Sequence, residues 1–272
     1  MIHTTHTILI TGGSSGIGAA TARMLAADGM TVYAASRRGT IEGSDFDGRI
    51  IPVKLDVNDE ALTIKTVHDI VEKHGTLDAV VVNAGNGIAG SVEDSDDEEV
   101  RYQFETCCFG ALKTIRACME VFRKQGYGRV ITITSVAAIV PLPYQGIYSG
   151  VKAAMLSITE NLRMETSHLG DIQFCSVLPG DVRTEFTCAR KIVKKAATSP
   201  YADEFQRAMK VIEKDETTGM SANIIARAVL RQLRRRRMSV RVIPRIDYAL
   251  VGLLMRLIPE CIKLPIIKAL YR

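Results

Sequence analysis

The stretch Ile8-Leu9-Ile10-Thr11-Gly12-Gly13-Ser14-Ser15-Gly16-Ile17-Gly18, followed by Ala19-Ala20-Thr21-Ala22, predicts a strand, a glycine-rich turn and a helix. Glycines let the backbone turn sharply and approach a pyrophosphate, and a helix N-terminus offers free N–H groups and positive dipole to an anion. A glycine turn without a ligand is the alternative, but the position after the first strand of an alternating chain favours nucleotide binding. The dinucleotide contacts predicted in this turn are Gly12, Ser14, Ser15, Gly16, Ile17 and Gly18.

Beyond this stretch, short β-rich apolar runs alternate with longer helix-patterned segments. Such alternation predicts βαβ units and a parallel sheet buried under helices. The predicted strands cover residues 7–11, 31–35, 50–55, 79–83, 129–135, 173–178 and 239–243. We therefore expect an α/β fold with a Rossmann-type, doubly wound parallel sheet and helices on both faces. Because the informative motifs run from residue 11 to residue 184, residues 1–272 are expected to form a single domain.

Capping patterns indicate where two of the helices begin. One helix is expected to start near Asn58, and a long one is expected over residues 96–124. Ser95 and Glu98 have the spacing of a capping box, in which each side chain bonds the other residue's backbone N–H.

Composition and charge exclude several classes of protein. The chain is 47% hydrophobic and 24% charged with a net charge of +5, which is ordinary for a globular protein and predicts no nucleic-acid partner. Its six cysteines lack CxxC pairs and metal-ligand spacing, so neither a disulfide framework nor a metal site is expected. A reducing, cytoplasmic location fits best, and residues 1–7 leave no room for a signal peptide.

Four motifs occur together: Thr-Gly-x-x-x-Gly-x-Gly at 11–18, Asn83-Ala84-Gly85, Ser135, and Tyr148-x-x-x-Lys152. In this order they resemble the short-chain dehydrogenase/reductase family over roughly residues 8–184, and the segments 83–93 and 134–148 most resemble its 17β-hydroxysteroid-dehydrogenase-like branch. The resemblance implies a nicotinamide dinucleotide cofactor. It implies cofactor contacts at Asp56 and Val57 beside the adenine, at Asn83, Ala84 and Gly85, and in the nicotinamide-contacting Pro-Gly stretch at Pro179, Gly180, Val182 and Thr184.

The end of the second predicted strand indicates which cofactor is used. Enzymes that use NAD often place an acidic residue there to bind the ribose 2′-hydroxyl. This chain has Ser36-Arg37-Arg38 instead. A guanidinium can bind a 2′-phosphate with charge-assisted hydrogen bonds, whereas a carboxylate would repel it. NADP(H) is therefore expected, although a basic pair in a solvated turn is the alternative reading.

Tyr148 and Lys152 are the predicted acid/base pair. A phenol has an unperturbed pKa of about 10 and needs a nearby positive charge to exchange protons at neutral pH. If Tyr148 begins a helix, Lys152 lies one turn later on the same face. The resemblance implies that Ser135 orients the substrate oxygen, that Tyr148 protonates it during reduction, and that Lys152 also positions the nicotinamide ribose. Tyr148 and Lys152 are thus both catalytic and cofactor-contacting.

One residue departs from the family pattern. The family often has an asparagine three residues before a Phe-Gly pair, where it supports a water chain to the lysine. In Phe104-Glu105-Thr106-Cys107-Cys108-Phe109-Gly110 that place is taken by Cys107. A thiol is a weak donor and acceptor, so we expect a rerouted or slow proton relay with activity retained. We expect Cys107 to be a small buried residue and not a nucleophile.

The apolar run at residues 136–144 lies between two catalytic positions and is expected to wall the substrate pocket. Its composition favours a lipophilic carbonyl or alcohol, such as a steroid, a retinoid or a fatty ketone, over a sugar. A loop buried by its own neighbours is an equal alternative. The predicted substrate contacts are Ser135, Tyr144 and Tyr148. Residues 181–217 resemble the family's mobile substrate lid, and their basic group at 190–195 is expected to be solvated and not to meet an acidic substrate.

The C-terminal extension, residues 244–272, follows the basic run 234–237 and carries apolar residues at 250, 253, 254, 257 and 258 on one helix face. A peripheral contact with an anionic membrane is one interpretation. A helix that covers the pocket or packs against a subunit is the favoured one. The charges at Arg256, Glu260 and Lys263 exclude a membrane-spanning segment. The resemblance also implies a homodimer or homotetramer, paired through the helices around Thr106 and Ala154.

Three functions compete on this evidence. The first is an NADP(H)-dependent oxidoreductase that interconverts a carbonyl and an alcohol. The second is a catalytically weak NADP(H)-binding regulator, for which Cys107 is the main support. The third is a peripheral membrane protein whose basic C-terminal segment is its main functional part. The presence of Ser135, Tyr148 and Lys152 together favours the first.

Overall fold

The computed structural model describes residues 6–41 and 48–271, except for the side chain of Arg256. The expected chain start at residues 1–5 and the last residue of the C-terminal extension, Arg272, lie outside the described residues. The strands, in chain order, are β1 (Thr7–Thr11), β2 (Thr31–Ser36), β3 (Ile50–Lys54), β4 (Ala79–Val82), β5 (Ile88–Ala89), β6 (Tyr127–Ile133), β7 (Asp171–Val177), β8 (Val182–Arg183), β9 (Lys191–Ile192), β10 (Met220–Ser221) and β11 (Arg241–Val242).

Ten α-helices lie between and after these strands in the described residues. They are α1 (Gly16–Ala27), α2 (Glu60–His74), α3 (Asp97–Phe104), α4 (Ala111–Gln125), α5 (Gly146–Glu165), α6 (Phe186–Ala189), α7 (Ala202–Thr217), α8 (Ala222–Leu233), α9 (Ile246–Leu257) and α10 (Glu260–Leu270). A π-helical turn, Glu105–Gly110, joins α3 to α4, and a 3-10 turn, Val136–Ala138, follows β6.

Seven strands form one parallel sheet in the order β11-β7-β6-β4-β1-β2-β3. After β3 the chain returns to the centre and places β4 on the other side of β1. In open parallel sheets, ligands bind beyond the carboxyl ends of the strands at such a reversal. The fold thus places the glycine turn after β1 beside the residues that follow β4. The expected doubly wound sheet is confirmed.

Apolar residues fill both faces of the sheet, which explains why its strands are continuous apolar runs. On one face, α2, α4 and α5 pack through a core that includes Ile70, Phe122 and Met155. On the other, α1 and α8 pack through a core that includes Leu25 and Val229. Helices cover both faces, as the sequence predicts.

The strand ends differ from the predicted ones by one or two residues, except at β1. The predicted strand over 79–83 ends at Val82, and the one over 129–135 runs over Tyr127–Ile133. The predicted strand over 239–243 is only the two residues Arg241–Val242. An apolar run marks the buried centre of a strand, whereas its ends depend on the length of the neighbouring strand. Asn83 and Ser135 consequently lie just beyond their strands, where their side chains are available to the site.

The predicted capping box is displaced by one residue. Ser95 Oγ donates to the Ser91 carbonyl at 2.9 Å and does not cap the helix. Asp96 takes the extended N-cap conformation, its carboxylate accepts from Glu99 N at 2.9 Å, and the Glu99 carboxylate accepts from Asp96 N at 3.0 Å. The helix expected near Asn58 begins at Glu60, after the N-cap Asp59.

The long helix expected over residues 96–124 runs as α3, the π-helical turn and α4. The insertion is at the Cys107 segment, and π turns inside helices often mark functional sites. In residues 6–41 and 48–271, no helix combines the length and apolarity that crossing a membrane requires.

Asp78 stabilises the end of the sheet where the parallel strands begin, opposite the glycine turn. Its buried carboxylate accepts hydrogen bonds from the backbone of His6 (2.7 Å) and Thr7 (2.8 Å). It also accepts from the hydroxyls of Tyr127 (3.0 Å) and Thr76 (3.1 Å). One side chain therefore satisfies donors at the starts of β1 and β6.

Replacement of Asp78 should destabilise the protein strongly. Asp78→Ala leaves buried donors without an acceptor, and we expect it to lower the free energy of unfolding by about 3 kcal/mol. Urea denaturation followed by circular dichroism measures the change. Asp69→Ala removes an exposed carboxylate paired with Lys65 and should cost at most about 0.5 kcal/mol. Equal effects of the two substitutions would contradict the role assigned to Asp78.

Candidate active site

The glycine turn after β1 is shaped by positions that cannot carry a side chain. Gly12 and Gly16 have φ of 67° and 52°, in the left-handed region that disfavours other residues. A Cβ on Gly18 would lie 2.1 Å from the Gly12 carbonyl oxygen. The backbone of the turn therefore packs directly against the first turn of α1. Ser15 is the N-cap of α1 and its side chain makes no capping bond, so the first N–H groups of the helix remain available for an anion.

Asn83 joins the glycine turn to the end of β4. Its side-chain amide donates to the carbonyl oxygens of Thr11 (3.0 Å) and Gly12 (3.1 Å). The backbone N–H groups of Asn83 and Ala84 both donate to Thr11 Oγ1 at 3.1 Å. Asn83 thus positions the turn, in addition to lining the cavity beside it.

The segment that follows β2 reaches over the same turn. Arg38 Nη2 donates to Ser14 Oγ at 3.1 Å, and Ser36 Oγ accepts from Gly39 N at 3.1 Å. One end of the cavity is lined by Ser36, Arg37 and Arg38 at the end of β2 and by Asp56 and Val57 after β3. Two guanidinium groups and no carboxylate follow β2 directly, as the sequence requires.

The cavity is lined by all three predicted catalytic residues, Ser135, Tyr148 and Lys152. Ser135 follows β6, and its Oγ accepts from Ala137 N at 3.1 Å. Tyr148 and Lys152 lie in the first two turns of α5, and Lys152 Nζ is 5.7 Å from the centre of the Tyr148 ring. The largely buried Lys152 ammonium donates to the carbonyl of Ile133 at 3.0 Å, which fixes its position at the end of β6.

Cys107 is buried in the π turn and belongs to a small polar cluster. Its Sγ accepts from Gln103 Nε2 at 3.1 Å and lies 3.2 Å from Asn86 Oδ1. Gln103 Nε2 also donates to the Asn86 carbonyl at 2.9 Å. Asn86 lines the cavity, so the cluster extends from the helix core to the active-site wall. Sequence reasoning missed Asn86 and Gln103, although Asn86 directly follows the Asn83-Ala84-Gly85 motif.

The Pro179–Thr184 segment lines the cavity beside the glycine turn, through Pro179, Gly180, Val182 and Thr184. A Cβ on Gly16 would lie 3.3 Å from the Thr184 methyl group, so the two segments are in contact. A Cβ on Gly180 would meet the Tyr248 ring at 2.2 Å. The Tyr248 hydroxyl donates to the Asp181 carboxylate at 2.6 Å and accepts from Asp181 N at 3.2 Å.

Tyr248, on α9, was missed by sequence reasoning. Burial, followed by its bond to Asp181, raises the pKa of Tyr248 well above its ordinary value, so the phenol is protonated at neutral pH. It therefore acts as a fixed donor that attaches the C-terminal helices to the Pro179–Thr184 segment. The only sequence signal for this role of Tyr248 is the helical pattern of residues 246–257, which places it on a helix.

One cavity of about 680 Å³ contains nearly all the predicted site residues. Gly18 lies beneath it, and Tyr144 is not among its lining residues. Tyr144 has φ of 60°, its hydroxyl donates to Glu204 at 3.1 Å, and its ring packs edge-on against Phe205. The structure thus places the Tyr144 side chain against α7, and its contact with substrate stays a prediction.

Much of the remaining cavity lining is apolar, and Gln145, Glu185 and Glu216 also belong to it. Val136, Val140 and Leu142 come from the run after Ser135, and Phe186 comes from α6. The rings of Phe186 and Tyr148 are 5.8 Å apart. The C-terminal helices complete this part with Val251, Gly252, Met255, Ile267, Leu270 and Tyr271.

Three basic residues of the predicted lid, residues 181–217, contact side chains of their own chain. Arg190 is buried and forms an ion pair with Glu216. Burial raises the pKa of Glu216, and the positive charge of Arg190 opposes that effect. Lys194 pairs with Asp96 at 2.8 Å, and Lys191 lies 3.7 Å from the centre of the Tyr102 ring. Contacts with their own chain therefore account for these three residues without an acidic substrate.

These features fit a nicotinamide dinucleotide. Glycines hold the turn where a Cβ would fill the space, free helix N–H groups face the cavity edge, and the cavity extends from the arginines to Tyr148. The groups that would hold it are the glycine turn, Arg38, Asp56, Asn83, Lys152 and the Pro179–Thr184 segment.

Comparisons with known proteins agree with this geometry. The family model for short chain dehydrogenase matches residues 6–194. A 3-ketodihydrosphingosine reductase of Bacteroides thetaiotaomicron is 36% identical over 230 residues, which is 84% of each protein. A probable short-chain type dehydrogenase/reductase, VdlC, of Helicobacter pylori is 30% identical over 82% of this chain and 87% of its own.

A solved structure has the same fold over nearly the whole chain. The crystal structure of a short-chain dehydrogenase from Streptomyces avermitilis has a TM-score of 0.81 and 26% identity, over 94% of both chains. The resemblance to the 17β-hydroxysteroid-dehydrogenase-like branch stays a prediction, as does the homo-oligomer. The protein belongs to the short-chain dehydrogenase/reductase family of oxidoreductases.

Proposed function

We propose that the protein is an NADP(H)-dependent oxidoreductase that reduces the ketone of a long-chain lipid to an alcohol. The observation that carries the proposal is the continuous cavity, which joins Ser135, Tyr148 and Lys152 to an arginine-lined end and to an apolar end. The similarity to a 3-ketodihydrosphingosine reductase makes that ketone the first substrate to test. A pocket of this kind favours a lipophilic substrate over a sugar.

The bound nicotinamide supplies or accepts a hydride at the carbonyl carbon. Ser135 Oγ would donate a hydrogen bond to the substrate oxygen from its position just beyond β6. The Tyr148 hydroxyl would donate the proton that converts this oxygen to an alcohol, so that the hydride and this proton complete the two-electron reduction. Lys152, held by the Ile133 carbonyl, would bring a positive charge to the phenolate that remains. Solvent would then return the proton to Tyr148.

The proton from solvent needs a path that does not depend on the family's usual asparagine. The cluster of Asn86, Gln103 and Cys107 occupies that region, and Asn86 reaches the cavity. Gln103 Oε1 is buried and makes no hydrogen bond with the described residues. An acceptor with spare capacity beside a cavity-lining amide supports a rerouted relay through Asn86, in place of one through residue 107.

The reaction is tested by following NADPH oxidation with 3-ketodihydrosphingosine and with simple ketones of increasing chain length. We expect kcat/KM to rise with the chain length of the ketone, because each buried methylene adds binding energy of about 0.8 kcal/mol. NADH in parallel reports the cofactor preference. A rate that is independent of chain length would contradict the lipid substrate, and tight NADPH binding with no turnover would favour the regulatory alternative.

Tyr148→Phe removes the proposed acid and leaves the cavity shape unchanged. We expect kcat to fall by about 10² to 10⁴-fold, in the range of general acid catalysis. The affinity for NADPH, measured from its fluorescence on titration, should stay within a few-fold because the ring remains. Retained kcat would show that another group donates the proton.

Tyr144→Phe tests whether the Tyr144 hydroxyl contacts the substrate. The Tyr144 hydroxyl bonds Glu204 outside the cavity, and burial raises its pKa to about 12. We expect kcat and KM to be unchanged within about twofold, because the lost hydrogen bond lies outside the active site. Its loss should lower the free energy of unfolding by only about 1 kcal/mol. A large rise in KM for the ketone would support Tyr144 as a substrate contact.

Arg38→Ala tests the choice of cofactor. The guanidinium lies over the glycine turn through its bond to Ser14 and would meet a 2′-phosphate. Loss of a charge-assisted contact worth about 1.5 to 3 kcal/mol should raise the KM for NADPH about 10- to 100-fold. The KM for NADH should hardly change. Arg227→Ala, at an exposed position of α8 outside the cavity lining, is the matched control. An equal change for both cofactors would exclude selection by Arg38.

A further inference from the structure

The helices α9 and α10 expose most of the large apolar side chains on the described surface. Sixteen such side chains are exposed in residues 6–41 and 48–271, and ten of them lie between residues 246 and 270. The other six are scattered over the remaining surface, where single exposed apolar residues are normal. A concentration of this kind marks an interaction surface. The ten are Ile246, Leu250, Val251, Leu253, Leu254, Leu257, Ile262, Leu264, Ile266 and Leu270.

Helix α9 is apolar on two opposite faces, and only one of them has a partner in the fold. Residues 248, 252 and 255 line the cavity, at the spacing of one helix face. Residues 246, 250, 253, 254 and 257 recur at the same helical spacing on the other side. Leu253 is 56% exposed and Leu257 is 73% exposed. The fold therefore explains the inner face and leaves the outer face without a function. We call the outer residues of α9, together with Ile262, Ile266 and Leu270 of α10, the apolar face.

The apolar face is continuous with the active-site cavity. Leu270 is 64% exposed and Val251 is 45% exposed, yet both line the cavity. Leu270 of the apolar face is thus also part of the cavity rim, as is the exposed Val251 of α9. A hydrophobic molecule on this surface would lie next to the cavity that Tyr148 lines.

The charge of this segment complements an anionic surface. Residues 244–272 contain five arginines and lysines and two acidic residues. Both acidic residues are neutralised locally, Asp247 by Arg245 and Glu260 by Lys263 at 2.6 Å. Lys268 is exposed in the last turn of α10, near Leu270. Basic residues beside an apolar helix face are the features with which interfacial helices bind anionic lipid.

We propose that α9 and α10 dock on the surface of an anionic lipid bilayer, with the apolar face in the headgroup region and the cavity rim towards the lipid. The helices have 12 and 11 residues, so each is about 18 Å or less at 1.5 Å per residue and lies along the surface of a hydrocarbon core of about 30 Å. A second copy of the chain on this face would cover Leu270 at the rim and obstruct the cavity. The bilayer leaves the rim open to its own lipids.

Docking itself does not depend on the reaction, whereas delivery of a lipid ketone from the bilayer to Tyr148 rests on the proposed function. Two measurements distinguish a failure of docking from a failure of the proposed reaction. Vesicle sedimentation reports docking with no substrate present. Turnover of a short, water-soluble ketone reports the chemistry with no vesicle present.

The test uses the full-length protein and the double substitution Leu253→Glu with Leu257→Glu, which changes two exposed residues that do not line the cavity. The control is Met164→Glu with Ile64→Glu, also at exposed apolar positions, on α5 and α2. Sedimentation is measured with phosphatidylcholine vesicles, with and without phosphatidylglycerol, at low and high salt. Sedimentation equilibrium without lipid gives the oligomeric state of each variant.

We expect the unmodified protein and the control to sediment with phosphatidylglycerol vesicles, and to do so less at high salt. The double variant at 253 and 257 should bind at least tenfold more weakly while turning over the soluble ketone within twofold of the unmodified rate. Its turnover of 3-ketodihydrosphingosine in vesicles should fall at least tenfold.

Three results would overturn docking. The first is no binding of the unmodified protein to any of the vesicles, the second is equal binding of the control and the double variant at 253 and 257, and the third is binding that does not depend on phosphatidylglycerol or salt. Conversion of a dimer to a monomer by the double variant, without vesicle binding by the unmodified protein, would assign the apolar face to a second copy. Vesicle binding without turnover of any ketone would retain docking and reject the proposed reaction.

Discussion

The active-site edge of the sheet depends on one contact, between the side chain of Asn83 and the glycine turn. The amide of Asn83 donates to two carbonyl oxygens of the turn, at Thr11 and Gly12. A Cβ on Gly12 would lie 2.9 Å from Asn83 Nδ2, and one on Gly18 would lie 2.7 Å from it. The asparagine therefore occupies the space that the two glycines leave. Because Asn83 follows β4 and the turn follows β1, the same contact fixes how the two halves of the sheet meet around the cofactor site.

The predicted features that the structure shows most directly are those whose constraint is local, while the roles assigned to the site residues stay predictions. The left-handed φ of Gly12 and Gly16 requires glycine wherever the turn occurs, and Tyr148 and Lys152 share a helix face through their spacing alone. The apolar runs are also local patterns, and they predicted the sheet and its central strands. The strand ends and the capping box at Asp96 were displaced, because two adjacent capping residues look alike until the backbone conformation selects one.

The residues that were missed act over long distances in the chain. Tyr248 bonds Asp181, 67 residues away, and no local pattern connects the two. Gln103 and Asn86 meet only because the π turn brings Cys107 beside the end of β4. Tyr144 was predicted to contact substrate because it ends an apolar run, and that contact stays a prediction, while the structure shows a positive φ there and a hydroxyl that bonds Glu204. A sequence pattern assigns a loop residue to a region, whereas the backbone torsion decides which side of the loop it occupies.

The cavity is built by two parts of the chain with different tolerance for change. The glycine turn, Asn83 and the trio of Ser135, Tyr148 and Lys152 are attached to the central strands, so substitutions there disturb the sheet as well as the chemistry. The apolar end is built by residues after Ser135, by the predicted lid and by α9 and α10. The predicted lid is attached through the buried pair of Arg190 and Glu216, and α9 is attached through Tyr248. A buried ion pair is costly to break singly, because the remaining charge has no partner. Those attachments can persist while the apolar residues between them vary, so the size and chemistry of the substrate can change without displacing Tyr148 from the cofactor.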